Sequence, residues 1–229
     1  MIEGSDRSLD FDRNWHGPED LKPKVYRTQL EKDVWHGCVV DNEYKLGQLQ
    51  ESDTVVDLGA HIGAFSFLAH RNGSRRIFAF EVDPWHLQAA RENLGGLYGV
   101  SLNHYAVVRS DAARLPQYHY NGNWEVFSGR GAPVASVSLD EILNDVGPVR
   151  FLKIDVEGSE WPILYTCTKL AQVQEIAGEY HTDIQFKDDS LPPQTPEALL
   201  KFLVDGPGRY TEVGWREGSS NTGLFWARR

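Results

Sequence analysis

The sequence is poor in cysteine, in long apolar runs and in clustered basic residues. Its two cysteines, Cys38 and Cys167, show no metal-ligand spacing and no disulfide framework, so we expect a reduced, cytoplasmic protein. No apolar run approaches membrane length, and the N-terminal residues lack the pattern of a signal peptide. The formal net charge of −10 makes nucleic acid and anionic membrane surfaces poor partners. These absences argue against nucleic-acid-binding and membrane proteins.

The length of 229 residues and the hydrophobic content of 41% suit one α/β domain with a small extension. Residues 1–50 are weakly patterned and contain Pro18 and Pro23. We interpret them as an N-terminal extension and a candidate lid over a ligand pocket. Within the extension, Cys38-Val39-Val40 favours a short strand. We place the main domain at residues 51–229.

The most informative stretch is TVVDLGAHIG at residues 54–63. Its first three residues predict a strand buried on both faces, and Phe65 and Leu68 continue into a helical pattern. Between strand and helix lies a turn with Gly59 and Gly63. Strand, glycine turn and helix form the first unit of a nucleotide-binding α/β fold, in which free backbone N–H groups face the ligand.

Asp57 indicates which ligand this turn binds. A dinucleotide fingerprint would have its first glycine at this position, and a carboxylate there would repel a pyrophosphate. S-adenosylmethionine has no phosphate, and its ammonium and sulfonium groups suit a nearby carboxylate. Glu81 ends the next apolar run about twenty residues on, where an acid holds ribose hydroxyls. An ordinary turn capped by Asp57 is the alternative, which Glu81 disfavours.

We therefore predict S-adenosylmethionine as the cofactor and disfavour an NAD-dependent oxidoreductase. The residues assigned to the cofactor follow the first two predicted strands: Asp57, Gly59, Ala60, His61, Gly63, Glu81, Val82 and Asp83.

Beyond this unit the chain alternates between predicted strands and helices. Helices begin at Pro84 and at the capping box Ser138-x-x-Glu141, and one with Pro162 in its first turn extends to about residue 172. Residues 109–135 favour an inserted hairpin. The pattern resembles the Rossmann-like class I methyltransferase plan, an α/β fold with a mostly parallel seven-stranded sheet and a C-terminal antiparallel hairpin. The predicted strands cover residues 54–56, 76–81, 101–108, 149–154, 175–180, 210–217 and 222–227.

Charged residues follow the fourth and fifth predicted strands. Ligands bind outside the carboxyl ends of the strands in an open α/β sheet, and charges at a buried strand edge persist only when they are paired or used. The alternative is an internal network, in which Lys153 and Glu160 pair with their neighbours and His181 is a hydrogen-bonded turn residue. The residues predicted to be catalytic are Asp155, Glu157, Glu179 and His181.

Six motifs make residues 53–181 similar to the FkbM-type family of S-adenosylmethionine-dependent methyltransferases. The most specific is KxDxEGxE within the fifth motif. The resemblance implies methyl transfer, usually to an oxygen on a sugar, polyketide or other secondary metabolite. The family usually has Asn at the position of His61 and Pro at that of Val82, and His61 is expected to alter the pocket near the methionine moiety. The motifs are VDLGAHIG at 56–63, FEVDP at 80–84, ENL at 92–94, SLD at 138–140, LKIDVEGSE at 152–160 and EYH at 179–181.

Methyl transfer is an in-line displacement, in which the nucleophile is held about 3 Å from the sulfonium methyl. A hydroxyl acceptor also loses a proton, for which we expect Asp155 or His181 as the base, with Glu157 and Glu179 orienting the acceptor. Either burial raises the pKa of the base, or a divalent metal at Asp155 acidifies the hydroxyl; the residues permit such a metal without requiring one. N-methylation of a small amine and non-catalytic binding of S-adenosylmethionine stay open as alternatives.

Overall fold

A seven-stranded sheet organises the computed structural model, which describes residues 16–111, 118–120, 132–183, 188–219 and 221–229. The strands are β1 (Thr54–Leu58), β2 (Arg76–Glu81), β3 (Val100–His104), β4 (Ala106–Val108), β5 (Tyr118–Tyr120), β6 (Ala132–Val134), β7 (Ser136–Ser138), β8 (Val149–Ile154), β9 (Val173–His181), β10 (Glu212–Glu217) and β11 (Thr222–Arg228). The helices are α1 (Gln29–Trp35), α2 (Ala64–Arg71), α3 (Pro84–Leu94), α4 (Leu139–Val146), α5 (Glu160–Thr166) and α6 (Pro196–Asp205).

The main sheet has the order β10-β11-β9-β8-β1-β2-β3. The five strands β9, β8, β1, β2 and β3 are parallel to one another. Strand β11 is antiparallel to both β9 and β10. This topology confirms the predicted mostly parallel seven-stranded sheet and its C-terminal antiparallel hairpin. Because the strand order reverses between β1 and β8, a crevice opens outside their carboxyl ends, where ligands bind in such sheets.

Successive side chains of each buried strand point to opposite sides of the sheet, and each side packs into its own core. Val55, Ile77 and Phe151 belong to a core beneath α2 and the N-terminal residues. Leu152 and Ile154 belong to a second core with α4, α5 and α6. Because both faces are covered, β1 is buried along its whole length and β8 at every residue except Arg150.

The N-terminal segment (residues 16–50) packs as a helix and a loop on α2. A capping box of Thr28 and Glu31 begins α1, which continues as a π-helical turn over His36–Val40. The prediction of a short strand at residues 38–40 is therefore wrong. Cys38 and Val39 are buried with Phe65 of α2, so tertiary packing decides the conformation of this β-branched run.

Asn93, in the middle of the ENL motif, ties the N-terminal segment to the main domain. Its amide oxygen accepts from the backbone N–H of Val25 at 2.8 Å, and its Nδ2 donates to the carbonyl oxygens of Val25 and Ile62 at 3.0 and 2.9 Å. Only 2% of Asn93 is exposed. These three hydrogen bonds therefore join the Asn93 side chain to two backbone segments that are distant in sequence.

We expect Asn93→Ala to lower the free energy of unfolding by about 3 kcal/mol, because it removes three buried hydrogen bonds and leaves their partners unsatisfied. Chemical denaturation measures the change, with Asn144→Ala on the exposed face of α4 as the control. Equal stability of the two variants would contradict this role of Asn93.

Two predicted elements are shorter than expected. The predicted strand at 101–108 breaks at Tyr105, because β4 leaves β2 and pairs with β7. The predicted helix to residue 172 ends at Thr166, because Asp140 of α4 accepts hydrogen bonds from the backbone N–H groups of Thr168 and Lys169. Between residues 109 and 135, β5 and β6 pair antiparallel; the connection at 121–131 lies outside the described residues.

Candidate active site

A cavity of about 320 Å³ opens at the carboxyl ends of β1, β2, β8 and β9. Residues of the predicted cofactor and catalytic sets share its wall. From the first set it is lined by Gly59, Ala60, His61, Glu81, Val82 and Asp83, and from the second by Asp155, Glu157, Glu179 and His181. Asp57 and Gly63 lie just behind this wall, in β1 and at the start of α2.

A glycine is required at position 59 because the turn after β1 passes very close to the end of β8. Gly59 has a φ of +77°, and a Cβ atom at this position would lie 1.8 Å from the backbone oxygen of Asp155. Gly63 has a φ of +90°, and its Cβ would lie 2.8 Å from Leu94. The two glycines thus let the turn after β1 pass against β8 and α3, which brings the cofactor-side and catalytic-side residues together.

Asp57 is fully buried and its charge is matched by Lys153. Its Oδ2 accepts from the Ser66 hydroxyl at 2.7 Å, and its Oδ1 lies 3.4 Å from the Lys153 Nζ. Burial lowers the pKa of Lys153, but the carboxylates of Asp57 and Asp155 more than offset this and raise it. The cation that Asp57 faces in the structure is therefore a lysine of the adjacent strand, and this lysine lines the cavity.

Glu81 joins the loops that follow β1 and β2. Its Oε2 accepts from the backbone N–H of His61 at 2.6 Å and its Oε1 from that of Asp83 at 2.8 Å. Burial raises the pKa of this carboxyl. Each oxygen keeps a further acceptor site, so a fixed carboxylate edge remains available to the cavity.

His61 and His86 form a pair of rings in the cavity wall, with centroids 4.0 Å apart. Burial, the neighbouring His86 and Lys153 lower the pKa of His61 to about 3. Among the described residues, none is a hydrogen-bond partner of its buried Nδ1. The ring is therefore neutral at physiological pH and offers an unused nitrogen beside the turn.

His181 lies between two glutamates. Its Nε2 is 3.1 Å from Glu157 Oε2 and its Nδ1 is 3.2 Å from Glu160 Oε1. Glu160 also accepts from the backbone N–H groups of Val156 and Gly158, both at 2.8 Å. Burial lowers the pKa of His181, but the hydrogen bonds to Glu157 and Glu160 outweigh it and raise the pKa to about 11. The ring is therefore an imidazolium.

Asp155 and Glu179 face the same end of the cavity in different environments. The Tyr44 hydroxyl donates to Asp155 Oδ2 at 3.1 Å, and Lys153 Nζ lies 3.8 Å from that oxygen. Burial and the charge of Asp155 raise the pKa of Glu179 to about 7, against a hydrogen bond from Thr222. The Glu179 carboxyl thus titrates near neutral pH, as is typical of a group at an acid–base site.

Three of these side chains could also hold a divalent cation. Asp155, Glu157 and His181 each offer one ligand atom, and these atoms lie within 4.8 Å of one another. Metal-bound histidine is neutral, whereas both ring nitrogens of His181 are paired with carboxylates here. A bound cation would therefore replace the contact between His181 Nε2 and Glu157, while Glu160 would keep its contact with Nδ1.

The cavity also contains residues that carried no sequence signal. Tyr44 of the N-terminal segment is buried at 5% exposure, and its ring packs edge-on against Phe65. Lys153 lies inside the most specific motif, and the alternative of an internal ion pair holds for it in part, because it faces Asp57 and also lines the cavity. The residues from the N-terminal segment are Leu30, Val34, Cys38 and Tyr44.

Each helix in the described part of the chain is too short or too polar to cross a bilayer.

The Methyltransferase FkbM domain model matches residues 57–205. Nodulation protein NoeA of Rhizobium meliloti (strain 1021) is 31% identical over 72 residues, which are 26% of this chain and 15% of that protein.

Solved structures of methyltransferases are similar to this chain. Methyltransferase FkbM from Methylobacillus flagellatus KT superposes with a TM-score of 0.52 at 16% identity, over 83% of this chain and 47% of that chain. An rRNA methylase from Streptococcus thermophilus has a TM-score of 0.47 at 12% identity, over 79% of this chain and 89% of that one. The chain thus spans about half of the Methylobacillus protein, and this likeness shows the fold.

Proposed function

The chain belongs to the FkbM family of S-adenosylmethionine-dependent methyltransferases, and from this premise we propose that it methylates a hydroxyl group of a small molecule such as a sugar, a polyketide or another secondary metabolite. The observation that carries this proposal is Glu179, a cavity carboxyl whose pKa is raised to about 7. A hydroxyl nucleophile needs a base with a pKa near the working pH.

We propose that the cofactor lies on the β1–β2 side of the cavity. Glu81 would accept from the ribose hydroxyls, because its position is fixed by two backbone N–H groups and it keeps free acceptor sites. Val82 and Asp83 follow it in the wall, and Ala60 and His61 belong to the opposite turn. Asp57 and Gly63 would act indirectly, by holding that turn in place.

Glu179 is proposed as the general base in place of Asp155 or His181. The imidazolium of His181 has both nitrogens engaged by carboxylates and carries no lone pair that could take a proton. Asp155 accepts from Tyr44 and also faces the ammonium group of Lys153 at 3.8 Å. Glu179, in contrast, is partly desolvated, and desolvation favours uptake of the acceptor's proton as the methyl group moves.

Glu157 and His181 would orient the acceptor. The His181 ring holds the Glu157 carboxylate at 3.1 Å, and Glu157 is 40% exposed at its side chain, so its remaining acceptor sites are open to a substrate hydroxyl. Holding the nucleophile in line with the methyl–sulfur bond is the main catalytic task in such a displacement.

The proposal is tested by incubating the protein with radiolabelled S-adenosylmethionine and a panel of hydroxyl- and amine-bearing small molecules. Label recovered as a methyl ether supports hydroxyl methylation. Label recovered only on nitrogen would show N-methylation in place of hydroxyl methylation. Tight cofactor binding without transfer to any compound would favour a non-catalytic binding protein.

We expect methyl transfer to continue in the presence of excess EDTA at no less than about half the rate, because the proposed base Glu179 is not one of the three candidate metal ligands and can take up the acceptor's proton without a metal ion. The measurement is the initial rate with and without EDTA, followed by addition of Mg²⁺ or Mn²⁺. Loss of activity that added metal restores would instead assign a divalent cation to Asp155, Glu157 and His181.

A further inference from the structure

We propose that Lys153 binds the carboxylate of the cofactor's methionine moiety, with the cofactor's ammonium group beside Asp155. This inference rests on the proposed placement of the cofactor in the cavity. It adds a cofactor contact on β8, the strand that was expected to supply only acceptor-side residues.

Lys153 is held at the glycine turn by backbone oxygens. Its Nζ donates to the carbonyl oxygen of Gly59 at 2.6 Å and to that of Leu58 at 3.3 Å. The residue is 4% exposed, yet it lines the cavity. An ammonium group is therefore fixed beside the glycine turn, in the wall of the cavity.

The methionine carboxylate has few other cations available. Among the described residues that line the cavity, Lys153 is the one lysine or arginine. The imidazolium of His181 already faces Glu157 and Glu160, and the lowered pKa of His61 keeps that ring neutral. A carboxylate that leaves water for this cavity is favourable only beside a charge of opposite sign.

The spacing of Lys153 and Asp155 fits an amino-acid zwitterion. Lys153 Nζ and Asp155 Oδ2 are 3.8 Å apart, and in an amino acid the nitrogen and the carboxyl carbon are about 2.5 Å apart. One methionine moiety can therefore place its carboxylate at Lys153 and its ammonium at Asp155 together. The reversed orientation would set like charges against each other at both residues.

Charge balance supports the same arrangement. Asp57, Lys153 and Asp155 together carry one net negative charge, since one ammonium faces two carboxylates. S-adenosylmethionine carries one carboxylate, one ammonium and one sulfonium, hence one net positive charge. If Lys153 served only to neutralise Asp57, binding would not depend on the carboxylate of the ligand.

The test compares three ligands by calorimetry: S-adenosylhomocysteine, its decarboxylated analogue, which keeps the amine, and methylthioadenosine, which lacks the amino-acid end. In the wild-type protein, loss of the ligand carboxylate should weaken binding about a hundredfold. In Lys153→Met the two amine-bearing ligands should bind within about threefold of each other, while methylthioadenosine binds both proteins equally. Lys201→Met, at an exposed lysine paired with Asp205, should behave as wild type.

Lys153→Met leaves Asp57 buried without its partner and so risks misfolding. The double variant Asp57→Asn, Lys153→Met removes both charges and so avoids a buried unpaired carboxylate. The comparison of S-adenosylhomocysteine with its decarboxylated analogue is also made on the wild-type protein, where misfolding does not arise. Equal wild-type affinity for S-adenosylhomocysteine and its decarboxylated analogue would overturn the role of Lys153 alone. Failure of all three ligands to bind would overturn the proposed cofactor site as well.

Discussion

Glu179→Gln should lower kcat by about 10²- to 10⁴-fold, the usual contribution of a general base, while the affinity for S-adenosylhomocysteine stays within about threefold. Glutamine keeps the size of the side chain but cannot accept the acceptor's proton. Steady-state kinetics with an accepted substrate measures the first effect and calorimetry the second. Glu212→Gln, at an exposed glutamate of β10, is the matched control.

The pH profile separates a base from a residue that only orients the acceptor. Since the pKa of Glu179 is raised to about 7, kcat of the wild-type protein should rise through pH 7 and level off above it. This limb should be absent from the residual activity of Glu179→Gln. A variant with unchanged kcat, or one that keeps the limb, would transfer the role of base to Asp155.

The same group makes a linked prediction for stability. The pKa of Glu179 is raised on folding from 4.5 to about 7, so between these values the folded state binds more protons than the unfolded state, and this contribution to stability decreases as pH rises. Above pH 7 the folded protein carries a partly buried carboxylate. Glu179→Gln should therefore raise the melting temperature at pH 8 more than at pH 5.

Gly59→Ala should lower the free energy of unfolding by more than about 4 kcal/mol or prevent folding. The added Cβ would lie 1.8 Å from the backbone oxygen of Asp155, and the φ of +77° disfavours any residue with a side chain. Neither the turn after β1 nor β8 can yield without breaking the ladder between them. Chemical denaturation and circular dichroism measure the effect.

Gly47→Ala is the control for this change, because nothing lies within 4 Å of a Cβ at that position and its φ is not positive. We expect it to be neutral or slightly stabilising. If Gly59→Ala unfolded at the same denaturant concentration as Gly47→Ala, the turn after β1 would have another backbone conformation of low energy. The close contact of this turn with the end of β8 would then not constrain the site.

The parts of the fold that could be predicted from the sequence are those with local signals. The bounds of β2 and β8 agree with prediction, because buried parallel strands are short apolar runs between turns. Capping signals at Ser138 and Pro84 likewise placed the starts of α4 and α3. The alternation of strands and helices likewise predicted the mostly parallel sheet and its C-terminal hairpin.

Other parts depend on contacts between distant residues and have no local signal. The pairing of Lys153 with Asp57 follows from the register of β8 against β1. The charged state of His181 needs Glu157 and Glu160 on the preceding loop and helix, whose hydrogen bonds outweigh the effect of burial. A spacing pattern identifies such residues as candidates, but their protonation is decided by neighbours that only the folded chain brings together.

Tyr44 and the other cavity residues of the N-terminal segment precede residue 57, where the match to the family model begins. Asp155, Glu157, Glu179 and His181 fall inside that match, whereas the cavity wall formed by Leu30, Val34, Cys38 and Tyr44 falls outside it. Exchange of residues 29–46 is thus a direct way to redesign the pocket, and a library restricted to the catalytic motifs would leave that wall unsampled.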